Sequence, residues 1–119
     1  MALNLKAFSK IYLYRNHVDF RKSIDGLVAI VTLEMACSVE EGNLFVFVSR
    51  RRNKIKILYF DRTGYAVWYK RLERDKFQWP RKLMDPVVEL SVERMNLFLS
   101  GVDVWKMQPH ERISIPQTF

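Results

Sequence analysis

Apolar positions in this chain follow two different periods. Leu44-Phe45-Val46-Phe47-Val48 is apolar at every position, the pattern of a strand covered on both faces. Ile55 to Phe60 and Tyr65 to Leu72 are two further strand-like runs, separated from the first and from each other by the turns at 49–54 and Asp61-Arg62-Thr63-Gly64. Asp at the first position of that second turn and Gly at the last predict a type I turn closed by a left-handed glycine. The three runs make an antiparallel β-meander. Upstream, Ile11-Tyr12-Leu13-Tyr14 reads as a short strand, and Phe20, Ile24, Leu27, Val28, Val31 and Met35 recur at helical spacing. That spacing predicts an amphipathic helix over Phe20 to Glu34, with Asp19 as its N-cap. Ser91 can cap a second, shorter helix with Val92, Met95, Phe98, Leu99 and Val102 on one face, ending at Gly101.

The fold class expected is therefore α+β: an antiparallel meander with an N-terminal amphipathic helix on one face and a shorter C-terminal helix on the other. The chain of 119 residues suits a single domain over 1–106, followed by an extended or disordered tail over 107–119. A three-residue loop at the second turn would put Phe60 opposite Ala66, Leu58 opposite Trp68 and Lys56 opposite Lys70. The first hairpin would put Phe45 beside Leu58 and Phe47 beside Lys56. One face is then Leu44, Val46, Val48, Ile55, Ile57, Tyr59, Val67 and Tyr69, the floor expected for the first helix. The other carries Phe45, Phe47, Leu58, Phe60 and Trp68 with the Lys56/Lys70 pair. Like charges facing each other either hold an anion or splay into water on their long stems.

Charge changes the picture in one region. Twelve lysines and arginines stand against three carboxylates between Arg50 and Lys82, a local excess of +9 in a chain of net charge +7. Such a segment points to a polyanion, either nucleic acid or an anionic membrane surface; a solvated basic face is the plainer alternative. The candidate nucleic-acid contacts are Arg50, Arg51, Arg52, Lys54, Lys56, Lys70, Arg71, Arg74, Lys76, Trp79, Arg81 and Lys82. In Phe77-Gln78-Trp79-Pro80-Arg81-Lys82 the aromatics could stack on bases while the cations hold phosphate, or could tuck under the sheet edge.

Catalytic chemistry is sparse. No strand carries an inward-facing acidic pair, His17 and His110 stand alone, and no phosphate-cradling glycine loop is present. Asp61 with Glu73 and Lys76 approaches a nuclease pattern but with the wrong spacing. Neither a cofactor nor a metal site is expected. Cys37 is the single cysteine, which fits a reduced cytoplasmic setting, and no stretch is long enough to span a membrane.

Several linked motifs resemble one family. They are Asp19-Phe20-Arg21-Lys22-Ser23-Ile24-Asp25-Gly26-Leu27, Gly42-Asn43-Leu44-Phe45-Val46-Phe47, Asp61 to Gly64, Trp68-Tyr69-Lys70-Arg71-Leu72-Glu73, Phe77-Gln78-Trp79-Pro80, and the closing Leu99-Ser100-Gly101-Val102-Asp103 with Trp105. In order and spacing they look like the small TnpB accessory proteins of bacterial insertion sequences of family sixty-six, products of the second open reading frame. The resemblance implies a non-catalytic protein that serves transposition beside a separate transposase. Two functions follow as expectations. One is DNA binding at transposon ends through the basic segment. The other is docking on the transposase or another accessory protein of the element, with the face of Phe45, Phe47, Leu58, Phe60 and Trp68, or else Trp79, as anchor. A metal-dependent nuclease using Asp61 and Glu73 is the remote third. The sequence departs from the family where Arg52 stands in place of the usual glycine and where Arg15-Asn16 replace small turn residues.

Overall fold

The computed structural model describes residues 3–80 and 85–106. It is an α+β fold with a five-stranded mixed sheet and two helices. The strands are β1 (Ile11–Tyr14), β2 (Leu44–Val48), β3 (Lys54–Asp61), β4 (Gly64–Arg71) and β5 (Val87–Leu90), in the order β4-β3-β2-β1-β5. The helices are α1 (Ile24–Leu33), between β1 and β2, and α2 (Val92–Leu99). β2, β3 and β4 form an antiparallel meander. β1 extends the sheet by running parallel to β2, with Ile11 beside Leu44, and β5 runs antiparallel to β1, with Leu90 beside Ile11. Every residue of β2 is 0 % exposed, because the strand lies in the middle of the sheet with both faces covered.

The first helix differs from expectation at its start. Asp19 does not cap it. Its carboxylate accepts from the Arg21 amide at 2.9 Å and from the Arg21 guanidinium at 2.6 Å, and these bonds hold its pKa well below the usual carboxylate range. The helix begins four residues later, at Ile24 behind Ser23. α2 does start behind Ser91, whose hydroxyl accepts from the Arg94 amide at 3.1 Å. Gly101 follows it in the left-handed region at φ +92°, while Val102 is exposed rather than on the buried stripe.

The first hairpin has the expected register, with Phe45 opposite Leu58 and Phe47 opposite Lys56. The second is shifted by one residue. Arg62, not Gly64, takes the left-handed conformation (φ +51°), so the loop is Arg62-Thr63 and Asp61 faces Gly64. Because side chains alternate faces along a strand, the shift moves every residue of β4 to the opposite face. Trp68 joins Ile57, Val67 joins Leu58, and Lys56 faces Tyr69 instead of Lys70.

The helices also cover the opposite faces from those expected. Leu27, Ile30 and Val31 of α1 cluster with Phe45, Phe47 and Leu58. Met95 and Phe98 of α2 cluster with Leu44, Val46, Val48, Ile55 and Ile57, together with Phe77, Trp79 and Val104. An all-apolar run such as Leu44–Val48 has no alternation to say which face meets which helix.

Candidate nucleic-acid interface

The tip of the β2–β3 hairpin, Arg50-Arg51-Arg52-Asn53, is closed by hydrogen bonds at its base. The Ser49 amide donates to the Lys54 carbonyl at 3.0 Å, the Arg52 amide donates to the Ser49 carbonyl at 2.9 Å, and the Ser49 hydroxyl accepts from the Lys54 amide at 3.2 Å. Arg52 sits at φ +61°. That is the backbone region glycine occupies freely and a Cβ-bearing residue occupies at a cost. It is also the position at which this sequence departs from the glycine that the resemblance implies.

After β4 the chain folds back onto this tip. The Leu72 amide donates to the Asn53 carbonyl and the Phe77 amide to the Arg52 carbonyl, each at 2.7 Å. The loop between them carries Arg74 and Lys76, and Arg71 lies opposite Lys54 at the end of β3–β4. Seven cations, Arg50, Arg51, Arg52, Lys54, Arg71, Arg74 and Lys76, therefore gather at one end of the sheet with only Glu73 and Asp75 among them. Arg50, Arg51, Arg71, Arg74 and Lys76 are exposed; Arg52 and Lys54 are half-buried. Glu73 is engaged by Arg71 at 2.8 Å, which raises the guanidinium pKa further. Among the described residues no carboxylate forms an ion pair with the other six cations.

Three candidate contacts are placed elsewhere. Lys56 points its ammonium at the carbonyls of Phe20 (2.8 Å) and Lys22 (3.3 Å) and lies 4.9 Å from the centre of the Phe20 ring. It ties the segment before α1 to the sheet. Lys70, on the opposite face, donates to the Leu99 carbonyl at 3.4 Å, at the C-terminal end of α2 where a cation meets the negative pole of the helix. No anion site lies between these two lysines. Trp79 is 7 % exposed, packs at 5.7 Å from Phe98, and donates its indole N–H to the Arg15 carbonyl at 2.6 Å. It is part of the core, as is Phe77 beneath α2, and neither ring is open to a base. Arg81 and Lys82 lie outside the described residues.

Three of the five residues of the expected protein-docking face are core residues as well. Phe45, Phe47 and Leu58 have no exposed surface, Phe60 is half-buried in the α1 cluster, and Trp68 is half-buried against the α2 cluster. Burial removes Phe45, Phe47 and Leu58 from a partner's reach, while Phe60 and Trp68 keep part of their surface. The nuclease pair is not assembled either. Asp61 ends β3 and Glu73 follows the far end of β4, so they are separated by the length of the hairpin, about 25 Å at the rise of an extended strand. Among the described residues no group of three or more His, Cys, Asp or Glu could hold a metal, and no helix is long and apolar enough to cross a membrane.

The residues that sequence reasoning missed are those that assemble the basic end. Asn53 contributes a carbonyl, and Phe77 an amide and a buried ring. Phe77 stands out in the sequence for its aromatic ring and as part of the Phe77-Gln78-Trp79-Pro80 motif, but nothing in the sequence pairs 52–53 with 72–77.

No solved structure matches this chain. Among proteins of Sinorhizobium fredii, "Uncharacterized protein y4jC" is 34% identical over 86 residues, covering 72% of this chain and 73% of that protein. "Uncharacterized protein y4hO" is 29% identical over 97 residues, covering 82% and 83%. The sequence model of the IS66 Orf2 like proteins matches residues 9–109, a span that takes in all five strands, both helices and the basic end of the sheet. The chain belongs to the IS66 Orf2-like family of insertion-sequence proteins.

Proposed function

We propose that this protein is a non-catalytic accessory factor of transposition that binds DNA through the basic end of its sheet. The carrying observation is the convergence of the 50–54 tip and the 71–76 loop, two segments held together by the Leu72–Asn53 and Phe77–Arg52 backbone bonds. Guanidinium and ammonium groups at that density hold phosphate oxygens and release the counterions condensed on a duplex. If all seven cations reach phosphates, the logarithm of the affinity falls with the logarithm of salt at a slope of about −6. The transposon ends are the proposed DNA target, and the transposase and other accessory proteins of the same element are the proposed protein partners. Family membership supports the transposition role, and the separation of Asp61 from Glu73 supports the non-catalytic reading.

Fluorescence anisotropy of labelled transposon-end DNA and a scrambled duplex, titrated across a salt series, tests this. A steep slope that becomes shallower by about 3 when Arg50, Arg51 and Arg52 are all replaced by alanine is the expected result. An unchanged slope and affinity in that variant would remove the tip from the interface. Equal, weak binding of both duplexes at physiological salt would move the protein to a bridging role within a complex that other components anchor.

A further inference from the structure

The two edges of the sheet are unequal. β5 is four residues long, is preceded by Pro86, and carries Glu89 in an ion pair with Lys10, features that blunt an edge against further pairing. β4 is eight residues long, has no proline, and carries no charge between Gly64 and Tyr69. Its backbone parity follows from the Leu72 amide donating to Asn53. Antiparallel pairs alternate between bonded and non-bonded, so Gly64, Ala66, Trp68 and Lys70 direct their backbone groups at β3. Tyr65, Val67, Tyr69 and Arg71 direct theirs outward. Among the described residues nothing bonds to the outward N–H and C=O groups of Tyr65, Val67 or Tyr69. The side chains of Tyr65 and Tyr69 are also two of the few large apolar groups left exposed, at 36% and 49%.

We propose that the β4 edge is a homodimer interface, in which β4 pairs antiparallel with β4 of a second copy about a two-fold axis at Val67. The strand is self-complementary in this register. Val67 faces Val67, and each Tyr65 faces Tyr69 of the second copy, in hydrogen-bonded pairs that satisfy all the outward groups of these residues. On the other sheet face Ala66 lies opposite Trp68 of the second copy, a small residue beside a large one. Lys70 lies opposite the second copy's Gly64, with the second copy's Asp61 next across the sheet, so a lysine of each strand faces toward a carboxylate of the other copy. The interface does not depend on DNA, and the two basic ends of such a dimer point in opposite directions along the strands.

The test is sedimentation equilibrium of the full chain across a concentration series without DNA. A reversible monomer–dimer equilibrium is expected. Val67→Pro removes an outward N–H without removing a bond to β3, and Tyr65→Lys places a charge on the edge; each should weaken the dimer about tenfold or more while circular dichroism stays unchanged. A chain that stays monomeric throughout overturns the proposal. So does dimerisation that both folded variants leave intact. The register has its own probe, a variant carrying Cys37→Ser, Tyr65→Cys and Tyr69→Cys. Within one copy positions 65 and 69 are about 13 Å apart, too far for a disulfide. Oxidation should give a covalent dimer, and its absence in a chain that still dimerises overturns the register.

Discussion

The amide of Phe77 donates to the carbonyl of Arg52 over 2.7 Å, across twenty-five positions of sequence. One partner is the third arginine of an exposed hairpin tip; the other is a ring 2 % exposed, stacked at 5.5 Å on Phe98 of α2. The core thus holds the loop that carries Arg74 and Lys76 against the tip, and the geometry of the basic end is set by apolar packing below it.

Truncating that ring should therefore be felt in both stability and binding. Phe77→Ala is expected to cost about 3–5 kcal/mol in urea-induced unfolding, the range for emptying a buried aromatic site. In the surviving folded fraction, release of Arg74 and Lys76 should make the DNA salt slope shallower by about 2. A cost under about 1 kcal/mol would mean the loop is not anchored through this residue.

Arg52 offers the opposite combination. Its φ of +61° costs a side-chain-bearing residue about 1–2 kcal/mol, while glycine there adds unfolded-chain entropy that offsets part of the gain. Arg52→Gly should raise stability by about 0.5–1 kcal/mol, read as a higher denaturant midpoint, and make the salt slope shallower by about 1 because one phosphate contact is gone. Stability and DNA affinity moving in opposite directions in one variant is the signature; a destabilised Arg52→Gly protein would show that the arginine side chain holds the turn.

How far the sequence carried the reading depends on which interactions are local. Leu44–Val48 was legible as a buried central strand because every position is apolar, and the register of its hairpin with β3 followed. The β3–β4 register was not, since it turned on whether Gly64 or Arg62 accepts a positive φ, and an arginine there runs against its usual preference. β5 was missed because Val87-Val88-Glu89-Leu90 is short and charged; its pairing with β1 is a tertiary choice. The positive charge was located by counting, but its division was not. Lys54 and Lys56 are two positions apart on one strand and on one face of it, yet Lys54 stands at the basic end and Lys56 is held by the carbonyls of Phe20 and Lys22.

That division is testable. Lys56→Met keeps the stem and removes the ammonium from two backbone acceptors, so it should cost about 1–3 kcal/mol of stability. Its DNA affinity and salt slope should match the unmodified protein's. A slope shallower by about 1 would return Lys56 to the interface and contradict the internal bonds as its main role.

The last expectation concerns alkaline pH. Tyr14 is 5 % exposed and donates its hydroxyl to the Glu34 carboxylate at 2.7 Å. Burial first, and the bond to Glu34 second, raise its pKa above the ordinary phenol value, because ionising it would bury a charge and set two anions together. The folded state therefore holds this proton more tightly than the unfolded chain. The stability this contributes is fully present below a pH of about 10, the pKa of an unfolded tyrosine, and is lost as pH rises through the higher folded value. Tyr14→Phe should lower stability at neutral pH by about 1 kcal/mol through the lost hydrogen bond. Above that pH it should lose stability less steeply than the unmodified protein. Urea midpoints measured across the alkaline range decide it, and parallel pH profiles for the two proteins would show that the Tyr14–Glu34 bond carries no proton linkage.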